Sequence, residues 1–125
     1  MILGSVVNLE AAVEIELLDS ADQSHRILAT IDTGYNGQLT LPGNVISSFG
    51  LPAGGHIRGM LADGSVISMP VFLAKIDWLG SPRAVVVTQA EGGPLLGMEM
   101  LNGHRVIIDA VEGGEVRVEE LPRQA

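Results

Sequence analysis

Cysteine is missing from this chain. With it go disulfides, thiolate metal sites and a thiol nucleophile. Aromatic residues are scarce, at 3%, so the core has to be built from Val, Ile, Leu and Met. Basic residues are also few. The 7 Lys and Arg against 15 Asp and Glu give a net charge of −8. No basic stripe is present to neutralise phosphates, which argues against nucleic acid as a partner. The same acidity argues against an anionic membrane surface. No apolar run approaches the roughly 20 residues that span a bilayer. Asn8 and Glu10 interrupt the N-terminal stretch before it can serve as a signal peptide, so the expected location is cytoplasmic.

What remains is the composition of a globular protein. The chain has 125 residues, 46% of them apolar and 18% charged. That length fits a single domain spanning the chain, with its core between Ser5 and Leu121. The 16 glycines favour tight turns over long helices. The dominant period is two: Val13, Ile15 and Leu17 alternate with Glu14 and Glu16, as on a half-buried strand. Asp19 to Asp22 reads as a turn, and Arg26 to Ile31 as the returning strand. Gln38 to Leu41 is a short strand stopped by Pro42-Gly43. Asn44 to Phe49 suits a short helix capped by Asn44 and closed by Gly50.

Further on, His56 to Leu61 and Val66 to Trp78 flank Ala62-Asp63-Gly64-Ser65, and Asp-Gly between apolar runs signals a hairpin. Leu79 to Pro82 turns again, before a strand from Arg83 to Thr88. Gly97 to Asn102 suits a second short helix, and His104 to Ala110 with Glu115 to Leu121 a last hairpin. Short strands punctuated by glycine turns predict an all-β sandwich or barrel, mostly antiparallel.

One acid stands out. Ile27-Leu28-Ala29-Thr30-Ile31 delivers Asp32 into the turn Asp32-Thr33-Gly34, which occurs once. Burial disfavours a charged carboxylate, so such an Asp has to be paired, hydrogen-bonded or used. Taken alone, Asp-x-Gly is an ordinary turn with a side-chain hydrogen bond. Its context is the apolar strand before it, the strand Leu39-Thr40-Leu41 after it, and Pro94-Leu95-Leu96-Gly97 much later.

This combination resembles the retroviral-type (retropepsin-like) aspartic proteases. It is closest to a prokaryotic branch of single-domain members, in the stretch from Ile31 to Pro42, in Ala62 to Ser65 and in Pro94 to Met98. The resemblance spans roughly Val13 to Val118 in the order and approximate spacing of elements. It implies a closed antiparallel β-barrel of the acid-protease type with one or two short helices. It implies Asp32 as the catalytic aspartate, with Thr33 and Gly34 forming the active-site loop. Leu95, Leu96 and Gly97 would support that loop from beneath. Ala62, Asp63, Gly64 and Ser65 would form a flap over a peptide or protein substrate, with Tyr35 beside the site. The chain departs from the retroviral pattern at Tyr35, where a small residue is usual, and in a flap whose only glycines are Gly59 and Gly64.

The chemistry has its own logic. Two carboxylates about 3 Å apart cannot both ionise, so one serves as base and the other as acid, and they titrate as a pair. A chain with one such Asp supplies the second through a two-fold homodimer. No cofactor or metal is called for. Ile57, Met60, Val66 and Ile67 offer apolar subsites. A second reading keeps the fold as a peptide-binding or assembly module of weak or no activity. A third is a plain β-barrel interaction domain.

Other residues have simpler readings. Asp63 fits its own turn, and Asp77 and Asp109 suit solvated positions, although a dyad with Asp32 inside one chain stays open. His25, His56 and His104 lack ligand-like spacing. No Ser sits in a Gly-x-Ser-x-Gly turn. Gly54-Gly55 and Gly92-Gly93 open no phosphate-binding helix. Met98 and Met100 are expected to fill core gaps.

Overall fold

The computed structural model describes residues 1–122. β1 (Ile2–Val7) and β2 (Glu10–Leu18) form a hairpin through Asn8 and Leu9, whose φ angles are both positive, 51° and 67°. A turn of that hand matches the twist of the strands it joins. β1 carries no strand signal in the sequence, because Ile2-Leu3-Gly4-Ser5-Val6-Val7 lacks a clean polar alternation. β2 has it: Val13, Ile15 and Leu17 are buried while Glu14 and Glu16 are exposed. β3 (Ser24–Ile31) pairs with β2 from Ala12↔Thr30 to Leu18↔Ser24. The turn between them is held by the Asp19 carboxylate, whose Oδ1 accepts the N–H groups of Ala21 and Gln23.

β4 (Leu39–Leu41) leads into α1 (Gly43–Phe49). Asn44 does not cap this helix. Pro42 stands at the N-cap without a side-chain cap bond, and its carbonyl accepts the N–H groups of Val45 and Ile46. Proline is at home at a helix start, where an N–H would find no partner within the helix. Gly50 closes the helix at φ 63°, a left-handed conformation that glycine adopts without strain.

β5 (Ala53–Met60) and β6 (Val66–Trp78) form the expected hairpin. β6 turns through Leu79 and Gly80 into β7 (Ser81–Gln89), so Pro82 lies in a strand opposite Asp77 and not in the turn. β8 (Leu95–Leu96), α2 (Met98–Leu101), β9 (His104–Ile108) and β10 (Glu115–Glu120) complete the chain.

The strands make one sheet in the order β5-β6-β7-β4-β8-β3-β2-β1-β10-β9. A further pairing of β2 with β6, Glu16↔Asp77 to Leu18↔Lys75, joins β6, β7, β4, β8, β3 and β2 into a ring. The all-β class is as expected, but the sheet is not wholly antiparallel. β3 runs parallel to β8, and β4 parallel to β7. β8 is inserted between β3 and β4, two strands that run in opposite directions, so it must be parallel to one of them.

The core is aliphatic. Leu17, Leu39, Leu41, Ile76, Leu96 and Met100 are fully buried. Met100 fills the core, but Met98 is 44% exposed, contrary to expectation. No helix among the described residues is long and apolar enough to cross a membrane.

Candidate active site

The loop from Asp32 to Gln38 leaves β3 on one side of β8 and returns as β4 on the other. Straddling a two-residue strand, it has almost no ladder of its own. Its backbone is satisfied in two other ways. β8 supports its start: Thr30 N–H donates to Pro94 C=O and Asp32 N–H to Leu96 C=O, both at 2.9 Å. α2 then holds the rest. Gly97 N–H donates to Gln38 C=O at 2.9 Å, Met98 N–H to Tyr35 C=O at 2.7 Å, and Glu99 N–H to Gly37 C=O at 3.2 Å. The first amides of a helix have no partner within it. Here the loop carbonyls are those partners.

Gly97 is required at this junction by contact. A Cβ there would meet the Gly37 carbonyl oxygen together with the ring and carbonyl oxygen of Tyr35. Leu96 is fully buried under the loop and Leu95 half-buried.

Asp32 is half-buried at the loop's entrance, followed by exposed Thr33 and Gly34. Its Oδ1 accepts the Gly34 N–H at 2.9 Å, and its carbonyl accepts the Tyr35 N–H at 3.2 Å. Its Oδ2 takes no hydrogen bond among the described residues. One oxygen is thus fixed by the turn, and the other is left for a proton, a water or a second carboxylate.

Tyr35 is committed to the loop's own packing. Its ring lies against Gly37 and Gly97, and its hydroxyl donates to Thr88 Oγ1 on β7 at 3.3 Å. Two further residues, unmarked by any motif in the sequence, support the loop. Thr40 is buried and its Oγ1 accepts the Leu95 N–H at 3.0 Å. Gln38 takes the Val86 N–H on its Oε1 at 2.6 Å and donates from Nε2 to Glu99 at 3.4 Å. The sequence signal for Thr40 is a polar residue between two leucines in a very short strand, and Gln38 lies just before that strand, at the end of the loop.

Ala62 to Ser65 lie at the exposed tip of the β5–β6 hairpin. There Asp63 Oδ1 accepts both the hydroxyl and the N–H of Ser65, at 2.6 and 2.9 Å. These bonds hold the Asp63 carboxyl below its ordinary value. Leu61, Ile57, Met60, Val66 and Ile67 are all exposed along this hairpin. Asp77 accepts the Gly80 N–H in the β6–β7 turn, and Asp109 sits in the β9–β10 turn. Neither they nor Asp63 is hydrogen-bonded to Asp32 among the described residues.

The histidines are occupied elsewhere or lie apart. His25 Nε2 donates to Asp19 Oδ2 at 2.8 Å and the ring stacks on Phe49. His104 accepts the Trp78 indole N–H on Nε2 at 3.0 Å and bonds the Asn102 carbonyl through Nδ1. His56 is exposed on β5. No group of three or more His, Asp or Glu side chains among the described residues is arranged to hold a metal ion. No family model, curated protein or solved structure matches this chain.

Proposed function

We propose that this chain is one half of an aspartic-type endopeptidase, a homodimer of retropepsin-like fold, and that its six-strand ring is the barrel of that fold. The observation that carries the reading is the Asp32 loop. A half-buried carboxylate has one oxygen fixed by Gly34 N–H and the other without a hydrogen bond among the described residues, on a loop held from beneath by β8 and α2. That is a great deal of backbone support for a turn with only a structural role, and no carboxylate among the described residues is hydrogen-bonded to Asp32.

In the dimer the two Asp32 carboxylates share one proton. The ionised one takes a proton from water as that water attacks the peptide carbonyl. The protonated one stabilises the developing oxyanion and the pair then protonates the departing amine. A substrate strand lies extended under the β5–β6 hairpin, as an added strand in β-augmentation.

The test is Asp32→Asn in the purified full chain, with an unfolded protein as substrate over a range including mildly acidic pH. The expected outcome is a loss of cleavage of at least about 100-fold, the scale of general acid–base catalysis, with the fold retained by circular dichroism. Cleavage that survives the substitution would refute the assignment. Peptide binding without turnover in the wild type would favour the binding-module reading of the same fold.

A further inference from the structure

α2 is one turn long, and the carbonyls at its C-terminal end lack partners within it. It has no basic residue in its last turn to meet them. Two side chains from other elements do so. Arg83 of β7 donates from Nη1 to the Met100 carbonyl at 3.4 Å. His104, the first residue of β9, bonds the Asn102 carbonyl through Nδ1 at 3.0 Å.

Trp78 joins the two. Its indole N–H donates to His104 Nε2 at 3.0 Å. The Arg83 guanidinium lies over its ring, with Cζ 5.8 Å from the centroid. Trp78 is buried, and the half-buried imidazole meets it edge to face with centroids 5.4 Å apart.

These partners fix where the imidazole carries its proton. A carbonyl only accepts, so Nδ1 holds the hydrogen. An indole N–H only donates, so Nε2 is bare. The neutral ring alone satisfies both. An imidazolium has hydrogen on both nitrogens. It keeps the Asn102 bond but sets its Nε2–H against the Trp78 N–H, and the buried indole donor loses its acceptor. It also adds a second cation beside Arg83.

Other charged groups surround this cluster. Glu120 stands opposite His104 on β10. Arg105, next along β9, is paired with Glu119 at 3.6 Å. Asp77 on β6 accepts the Gly80 N–H, and Glu99 on α2 bonds Gln38. None of these carboxylates is ion-paired with His104 among the described residues. Glu120, across the ladder, is the one toward which a charged ring is drawn.

We propose that His104 is an acid-sensing positioning residue for the Asp32 loop. Neutral, it clamps α2 together with Trp78 and Arg83; protonated, it releases the clamp. Histidine is the side chain that ordinarily changes charge between about pH 5 and 8. At its other end the same helix presents the Gly97, Met98 and Glu99 amides to the carbonyls of Gln38, Tyr35 and Gly37. A helix of one turn has no length over which to absorb loosening at one end, so its carbonyl and amide ends yield together. The loop has almost no ladder of its own and follows them. That the released loop is catalytic rests on the peptidase reading above, under which this switch sets the acid limit of cleavage.

The test is NMR of the full chain from about pH 7.5 to 5.0. The chain has one tryptophan, so the Trp78 indole N–H gives one resonance. In the wild type that resonance is expected to shift in a single step. Protection of the Gly97, Met98 and Glu99 amides, taken relative to their unstructured exchange rates at each pH, is expected to fall at least about 5-fold, the scale of one buried donor left unpaired. His104→Gln keeps an acceptor for the indole and does not titrate. Trp78→Phe removes the opposing N–H. Both variants, shown to be folded by circular dichroism, are expected to hold that protection level over the same range. An indole resonance that does not move, wild-type protection that stays level while the indole shifts, or a fall of the same size in both variants would overturn the proposal. None of these readouts involves a substrate. Release with acid in a chain that shows no Asp32-dependent cleavage would leave this inference standing and refute the peptidase. Asp32-dependent cleavage with level wild-type protection would do the reverse.

Discussion

Thr40→Val is the sharpest test of how the Asp32 loop is supported. Thr40 is the buried polar side chain of the core, 4% exposed. Its hydroxyl accepts the Leu95 N–H at 3.0 Å. β8 is only two residues long, so this side chain does for Leu95 what a longer ladder would do with a carbonyl. Valine keeps the branched shape and the strand preference but removes the acceptor. The N–H is then left part-buried without a partner, at a cost of about 1–3 kcal/mol. For a chain of this length each kcal/mol lowers the melting temperature by about 4 °C. Thr40→Val should therefore melt about 4–12 °C below the wild type by circular dichroism. Thr40→Ser keeps the oxygen and gives up one methyl group, worth about 1 kcal/mol or 4 °C. A valine variant as stable as the wild type, or a serine variant less stable than the valine one, would refute the reasoning.

The other predictions concern the same loop and the turn behind it. Gly97→Ala should destabilise the chain by about 1–3 kcal/mol, read by thermal melting. The φ of Gly97, −98°, suits any residue, so the effect comes from the Cβ striking the Gly37 and Tyr35 backbone. Tyr35→Phe removes only a 3.3 Å hydroxyl bond to Thr88 and should cost less than about 1 kcal/mol in denaturant unfolding; a larger loss would mean the hydroxyl has a further role. Asp19 is held below the ordinary carboxylate value of 3.8, first by the hydrogen bond from His25 and then by backbone N–H groups. A depressed carboxylate stabilises the fold fully above its unfolded value and loses that contribution as pH falls through its folded one. Asp19→Asn should therefore be less stable than the wild type at neutral pH, with the gap closing below pH 3.8; a gap constant down to strong acid would contradict this.

Much of the strand order along the chain was legible because alternation and turn chemistry are local. Glu14 and Glu16 between Val13, Ile15 and Leu17 define one buried face without reference to the rest of the protein. Asp63-Gly64 marks its hairpin for the same reason. Local signals misled where two residue types serve equally well. Asn44 is a good cap by type, but the chain enters α1 two residues earlier, from Pro42. Pro82 looks like a turn residue, yet the positive φ angles of Leu79 and Gly80 complete the turn before it. Met98 and Met100 are alike in sequence and opposite in burial, because α2 is one turn long and shows only one face to the core.

By itself the sequence determined that the chain is all-β, that its core is aliphatic, and that Asp32 ends an apolar strand at a glycine turn. Those properties follow from composition, period and turn residues, which act over a few neighbours. Only the tertiary structure decided that β8 separates β3 from β4, that α2 amides hold the Asp32 loop, that Tyr35 folds back onto Gly97, and that β9 stands at one edge of the sheet among the described residues. Those depend on which distant segments meet, and that choice is made by packing and by the need to satisfy every buried backbone group at once.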